Sequence, residues 1–203
     1  MQIMPVLSLD AADAAIAGSV IARAFDSDPL NRRHHPDAAT RARCTPLLFE
    51  TFVRYDQRFG QVDYLESFVA VATWLKPGEV ETPEKLAQVG FDDFPDEVDV
   101  EFIEQVFAFV GPAIAEVQPE PHWHLRLLAV EPEHQGGGHG AALMKHGIDR
   151  AKASGHAVVL ETFSPRAVPF YLRNGFETIV EAVEPTSGLP FWALRHAATQ
   201  PAF

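Results

Sequence analysis

Apolar and polar residues recur with two different periods along the chain, and the change of period predicts its elements. Apolar residues recur every three or four positions in four segments, which is typical of amphipathic helices: 11–25, 38–59, 99–114 and 141–153. Pro46 is a place at which the second of these helices can start again. Shorter helices are predicted at 83–89 and 165–174, and a polar loop at 31–37. Short apolar runs between glycine, proline or polar residues predict strands at 2–9, 61–65, 67–75, 125–130, 157–162, 176–183 and 191–197.

The order of these elements predicts the fold class. One strand and two helices come first, and a group of strands with an inserted helical region follows. A helix, a strand, a helix and two strands end the chain. This order favours an α/β layer architecture with a mixed sheet. No internal repeat or low-complexity linker divides the sequence, so residues 1–203 are expected to form a single domain.

Composition and charge narrow the range of partners. The chain carries 28 acidic and 16 basic residues, a net charge of −12, which disfavours binding to nucleic acid. Such a chain suits cationic small molecules such as amines, although the charge can also serve solubility alone. A single cysteine, Cys44, excludes an internal disulfide framework and a multi-cysteine metal site, and no metal is expected. Without an apolar run long enough to cross a membrane or a signal-peptide pattern, the expected location is the cytoplasm.

A glycine-rich loop between a predicted strand and a predicted helix is the main candidate for chemistry. The sequence GGGHG at 136–140 places four glycines in five positions. Glycines let a backbone approach a ligand without interference from Cβ atoms. A helix that begins directly after them directs free N–H groups and the positive end of its dipole at the loop. The loop is therefore a predicted anion site, most naturally for a phosphate compound.

One interpretation of this loop is dinucleotide binding. Gly136 to Ala141 fit the pattern G-x-G-x-x-A, and Glu161 follows twenty residues after Ala141, where an acidic residue would bind a ribose. However, several polar residues including Pro132 separate the strand from the first glycine, and the loop lies late in the chain. The pattern also arises by chance in glycine-dense loops. A P-loop is excluded because no Lys-Ser or Lys-Thr follows the glycines.

The second interpretation rests on two motifs that follow each other along the chain. The run Gln135-Gly136-Gly137-Gly138-His139-Gly140 follows LAVEPEH, and the run VPFYLRNGF covers residues 168–176. Both motifs resemble those of GNAT N-acetyltransferases, in which the first binds acyl-coenzyme A. With AFDSDPL and VAVATWLKPG nearer the start, the whole chain is similar to the puromycin N-acetyltransferase-like branch. The resemblance implies a three-layer GNAT acyl-CoA N-acyltransferase fold with a mixed sheet, in which 79–120 is a helical insertion.

The resemblance also implies a function and a cofactor site. The expected reaction is acetyl transfer from acetyl-CoA to a primary amine of a small molecule, by direct attack in a ternary complex. A monomer or homodimer is expected, with no nucleic-acid or membrane partner. A non-catalytic acyl-CoA-binding or sensor module of the same fold is the alternative. The residues expected to bind acetyl-CoA come from the strand, the loop and the second motif: Leu128, Ala129, Val130, Gln135, Gly136, Gly137, Gly138, His139, Gly140, Ala141, Ser164 and Tyr171. Ser164 stands where this branch usually has asparagine.

The same chemistry requires an acid, a base and an acceptor site. A free alkylamine is mostly protonated at neutral pH, so a base must remove a proton before attack, and an acid helps the thiolate to leave. Tyr171 matches the catalytic tyrosine of the family and is the predicted acid. His124, six residues before Val130, is the predicted base, and strand alternation predicts that His122, His124, Arg126 and Leu128 share a face. His122, Glu161 and Asp28 are candidate acceptor-binding residues.

Overall fold

The computed structural model describes residues 5–198, and its strands form one sheet. The sheet has seven strands in the order β1-β2-β3-β4-β5-β7-β6, and only the β4–β5 pair is parallel. The strands are β1 (Val6–Ser8), β2 (Gly60–Leu65), β3 (Ala70–Leu75), β4 (Trp123–Val130), β5 (Val158–Thr162), β6 (Glu177–Val183) and β7 (Pro190–His196). The predicted mixed sheet is confirmed. Residues 2–4 of the first predicted strand lie outside the described residues.

Seven α-helices occur between residues 5 and 198. They are α1 (Ala14–Ala24), α2 (Pro29–His34), α3 (Ala38–Phe59), α4 (Pro83–Ala87), α5 (Val100–Val117), α6 (His139–Ala153) and α7 (Val168–Arg173). Helix α3 continues through Pro46 without a break. Across residues 5–198, no helix combines the length and the apolar character needed to cross a membrane.

Two local predictions are wrong. The predicted polar loop at 31–37 contains most of α2, because the Asp28 carboxylate accepts hydrogen bonds from the N–H groups of Leu30 and Asn31 and thereby caps a helix. The predicted strand at 67–75 begins only at Ala70. Ser67 and Phe68 have φ angles of 61° and 56°, in the left-handed region, which is incompatible with a strand.

The helices cover both faces of the sheet and produce three layers. On one face, Leu143, Met144 and Ile148 of α6 pack with β3, β4 and β5, and α7 packs against the same cluster. On the other face, α1 and α3 cover β2, β3 and β4. Helix α5 covers β5 and β7. The three-layer α/β fold predicted from the sequence is thus confirmed.

The centre of the sheet is split between β4 and β5. These strands pair only at Trp123 with Val158 and at His124 with Val159, and they separate beyond that point. On its other edge, β4 stays paired with β3 to Val130, but the register skips Arg126 because Thr73 pairs with Leu127 and Trp74 with Leu125. Arg126 is therefore the extra residue of a β-bulge.

The bulge changes which side chains share a face. His124 and Arg126 lie on the face that carries α3, as predicted. Leu128 instead packs against the cluster of α6, whereas Leu127 and Ala129 join the cluster of α1 and α3. The predicted common face is therefore wrong beyond Arg126, because a bulge inserts one residue and reverses the alternation that follows it.

Candidate active site

A cavity of about 410 Å³ lies over the split, on the face of the sheet that carries α1, α3 and α5. Its lining on the sheet side comes from β4 and the end of β5, and α3 and α5 both contribute to its helical lining. Four of the titratable residues singled out in the sequence line this one cavity: Asp28, His124, Glu161 and Tyr171. The structure thus brings together residues that are up to 143 positions apart in the chain.

His124 and Glu161 form a charged contact at the floor of the cavity. His124 Nε2 lies 2.7 Å from Glu161 Oε2, and both side chains are largely buried. Burial is the largest single influence on His124 and disfavours the imidazolium, but the charge of Glu161, its hydrogen bond to the ring and the charge of Asp56 together exceed it, so the pKa of His124 is raised above its ordinary value. Because Nε2 faces the carboxylate, Nδ1 is the ring nitrogen that remains to accept a proton from a ligand.

Tyr171 enters the cavity from the opposite layer of the protein. Its ring packs with the cluster of α6 and lies between Phe170 and Phe176, at centroid distances of 5.2 and 5.8 Å. Tyr171 nevertheless lines the cavity on the α3 side, which the split between the strands makes possible. Burial raises its pKa above the ordinary value near 10, and the charges of Glu161 and Asp28 add to the effect. The phenol therefore stays protonated at neutral pH.

Arg126, beside His124, is occupied by two acids. Its guanidinium lies 2.6 Å from Glu81 and 3.5 Å from Asp56, and it stacks over the rings of Phe52 and Tyr55. Asp56 is fully buried, and burial raises its pKa to about 6 although the charge of Arg126 opposes this. Arg126 is thus neutralised by protein carboxylates and is not free to pair with an acidic ligand.

The two remaining acceptor candidates differ in position. Asp28 lines the cavity while its carboxylate caps α2, and burial raises its pKa. His122 is not among the residues that line the cavity. Its ring is 6.4 Å from that of His124, and its Nδ1 contacts the carbonyl oxygen of Glu120 at 2.9 Å. The structure therefore brings Asp28, but not His122, to the cavity.

The glycine loop lies at the other end of β4 and leads into α6. Gly136 and Gly138 have φ angles of 80° and 84°, which favour glycine over any other residue. Gly138 precedes the first turn of α6 without a side-chain cap, so the first N–H groups of the helix, starting at His139, have no intrahelical partner. The loop and these N–H groups are suited to bind a pyrophosphate.

The strand, the loop and the helix are held close together. The Gln135 side chain donates a hydrogen bond to the carbonyl oxygen of Val130 at 3.2 Å, and this contact ties the loop to the end of β4. A Cβ atom at Gly140 would approach the Val130 side chain to 3.3 Å, so Gly140 allows α6 to begin against the strand. Ala141 occupies the first turn of that helix.

The edge of β4 that faces β5 has no strand partner beyond His124. The main chain of Leu128, Ala129 and Val130 therefore has no strand partner on that side, and it lies between the glycine loop and the cavity, which Leu128 lines. Ser164 lies just beyond the end of β5, on the other side of the split, where its N–H donates to Thr162 Oγ1 at 3.1 Å. An unpaired strand edge offers main-chain hydrogen-bonding groups to an extended chain of amide groups.

Several residues of the site carry no sequence motif. Asp56, Glu81 and the phenylalanines of the cavity are ordinary core or loop residues in the sequence. The contact between His124 and Glu161 had no signal of its own in the sequence, because the pairing of their two strands was not predicted. The register that aligns His124 with Val159, two residues before Glu161, is a tertiary feature.

A sheet split between two parallel strands, with a glycine loop and a helix N-terminus at one end and an acid–base cavity at the other, defines an acyl-CoA acyltransferase fold. A family model described as Acetyltransferase (GNAT) family matches residues 64–176, more than half of the sequence. The chain therefore belongs to the GNAT acetyltransferase family.

Solved structures agree over almost the whole chain. A structure of "histone acetyltransferase HPA2 and related acetyltransferase" from Corynebacterium glutamicum is 26% identical, has a TM-score of 0.68 and covers 100% of both chains. A polyamine N-acetyltransferase of Drosophila melanogaster is 19% identical with a TM-score of 0.68, covering 95% of this chain and 99% of the other. Arylalkylamine N-acetyltransferase 2 of Aedes aegypti is 12% identical with a TM-score of 0.69, covering 98% and 100%. The latter two identities are low enough that they support the fold alone.

Proposed function

We propose that this protein is an acetyl-CoA-dependent N-acetyltransferase that acts on the primary amine of a small molecule in a ternary complex. The observation that carries the proposal is the split between β4 and β5, because it joins a phosphate-binding loop to a cavity that contains both His124 and Tyr171. The two motifs of the sequence resemble the puromycin N-acetyltransferase-like branch, and we include that branch in the proposal. Amine acetyltransferases among the structural neighbours are consistent with an amine acceptor.

The chain's own residues would hold the co-substrate by its two polar parts. The N–H groups at the start of α6 and the backbone of 136–138 would bind the pyrophosphate. The free edge of β4 at Leu128 to Val130, with Ser164 opposite, would bind the pantetheine arm. When bound, acetyl-CoA supplies a thioester carbonyl that an amine can attack.

His124 would act as the base. An amine that enters the cavity as an ammonium must lose a proton before it can attack, and Nδ1 of His124 can accept that proton directly or through a water. Glu161 then stabilises the imidazolium by its 2.7 Å contact with Nε2. Glu161 thus has two proposed roles: it positions His124, and its negative charge attracts the ammonium of the acceptor.

The acid comes from α7, and the donor to the developing oxyanion comes from the end of β4. A main-chain N–H at the end of β4, near Val130, would stabilise the negative charge that develops on the carbonyl oxygen. Tyr171, protonated at neutral pH, would donate its proton to the departing thiolate. Cys44 is fully buried and is absent from the cavity lining, which agrees with direct transfer and no acetylated enzyme.

A thiol-release assay with acetyl-CoA and a panel of primary amines tests the proposal. We expect amine-dependent release of thiol, a product heavier by one acetyl group, and loss of turnover in the double variant His124→Gln, Tyr171→Phe. Thermal stabilisation by CoA without turnover of any amine would favour the sensor module instead. Stabilisation by a nicotinamide dinucleotide and not by CoA would refute the phosphate-binding assignment itself.

A further inference from the structure

The cavity is larger and more apolar than the transfer of an acetyl group to an amine requires. Its volume of about 410 Å³ lies within the roughly 300–1,000 Å³ of ordinary small-molecule sites. The reacting nitrogen needs only the floor near His124, Glu161 and Tyr171. The remaining space must therefore accommodate the body of the acceptor, and its walls specify what that body is.

One wall of the cavity is a continuous row of phenylalanine rings. We call Phe25, Phe49, Phe52 and Phe91 the aromatic wall. Successive ring centroids along it are 5.4, 6.4 and 6.3 Å apart, and all four residues line the cavity. Such spacings are those of interacting aromatic pairs, and a further ring can add to the row.

Helix α5 presents a second apolar surface to the same space. Phe102, Val106, Phe107 and Val110 of this helix line the cavity. The helix lies in the segment 79–120, for which the sequence provides no catalytic motif. An acceptor body between α5 and the aromatic wall would be enclosed by apolar groups on both sides.

The charged residues that line the cavity favour a positively charged ligand. Four lining residues carry carboxylates, Asp28, Glu81, Glu104 and Glu161, and the single lining arginine, Arg126, already pairs with Glu81 and Asp56. A ligand carboxylate would find no free cation there and would meet an excess of negative charge. A cationic head is attracted by the same groups.

We infer that the acceptor is a primary amine on a short linker to an aromatic or comparably bulky apolar group, without a carboxylate. This inference rests on the proposed function, and it adds the substrate class. The amine lies at His124 and Tyr171, and the apolar group lies between the aromatic wall and α5. Free amino acids are disfavoured because they would place a carboxylate among acids, and polyamines are disfavoured because they lack a bulky apolar group to fill the space along the aromatic wall.

The substrate class can be tested in the thiol-release assay with four acceptors. Their kcat/KM values are compared, each calculated from the concentration of free amine. Phenethylamine is the expected class, propylamine lacks the ring, putrescine replaces it with a second ammonium, and phenylalanine adds a carboxylate. Since one methylene in an apolar pocket changes kcat/KM by about 10–200-fold, we expect phenethylamine to exceed each of the others at least tenfold. Absence of transfer to every amine would refute the proposed function. Transfer with putrescine or phenylalanine equal to or better than phenethylamine would overturn the substrate class alone.

Gly111 on α5 provides a variant that changes the cavity without touching the catalytic groups. It lines the cavity, and a Cβ atom added there meets no atom within 4 Å. Gly111→Leu is expected to raise the KM for phenethylamine at least tenfold and to leave that for propylamine within about twofold. Gly111→Ala is the matched control and is expected to retain both values, with thermal unfolding as the check of folding. An equal KM for phenethylamine in Gly111→Leu and Gly111→Ala would refute an acceptor body beneath α5.

Discussion

Replacement of Tyr171 by phenylalanine separates catalysis from folding. The ring contacts with Phe170 and Phe176 remain in the variant, and the hydroxyl makes no hydrogen bond to any other group within residues 5–198. No partner is therefore left unsatisfied, and the free energy of unfolding should change by less than about 0.5 kcal/mol. For a domain of this size, that corresponds to a shift in Tm of at most about 2 °C.

The expected effect on the rate is much larger. A positioned general acid contributes about 10²- to 10⁴-fold to kcat, which equals about 2.7–5.4 kcal/mol of transition-state stabilisation. Thiol release under saturating acetyl-CoA and amine measures the loss, and differential scanning calorimetry measures stability. Tyr64→Phe is the matched control, because Tyr64 stacks on Phe68 at 4.5 Å and does not line the cavity. A Tyr171→Phe enzyme that keeps more than about a tenth of kcat would show that another group protonates the thiolate.

Three further variants test the base, the loop and the packing of α6. Glu161→Gln removes a charge that raises the pKa of His124. In the wild type, kcat/KM should rise with pH as His124 loses its proton, above the ordinary histidine pKa of about 6.5, and in the variant this rise should move to lower pH. A rise at the same pH in both enzymes would exclude His124 as the base. Gly138→Val forces a β-branched residue to a φ of 84°, at a free-energy cost of roughly 1–2 kcal/mol. If relief of this strain distorts the loop, the KM for acetyl-CoA should rise about five- to thirtyfold, and equal values would argue against the loop as the pyrophosphate site. Gly147→Ala places a Cβ atom in a clash with the Trp74 ring, so chemical denaturation should report a loss of about 1–3 kcal/mol. Unchanged stability would contradict this packing.

The pairing of His124 with Glu161 gives the site a defined working range. If His124 is the base, the reaction requires its neutral form, and because the pKa of this residue is raised, activity should begin to fall at a higher pH than for an unshifted histidine as the pH decreases. The phenol of Tyr171 is protonated throughout that range. In the proposed mechanism, base and acid are therefore in their required forms together only above the raised pKa of His124.

The sequence was sufficient for the elements whose signals are local. The boundaries of α3 and the positions of β4, α6 and β5 follow from apolar spacing and from glycine and proline residues, which act over a few positions. The loop at 135–140 was also accessible, because glycine density and the following helix are themselves sequence features. Helix α2 was missed because its capping residue, Asp28, precedes a proline and resembles an ordinary turn.

Only the tertiary structure shows which side chains that are distant in the sequence lie close together. The bulge at Arg126 moves Leu128 to the α6 face, and no local pattern indicates a skipped residue in a strand. The aromatic wall assembles from three separate segments, each of which looks like part of an amphipathic helix or a loop. What the sequence alone determined is a family and a candidate anion-binding loop, because those depend on contiguous residues. Strand register and the packing of helices across the split decided which side chains meet in the acceptor cavity, since these arise from contacts between residues far apart in the chain.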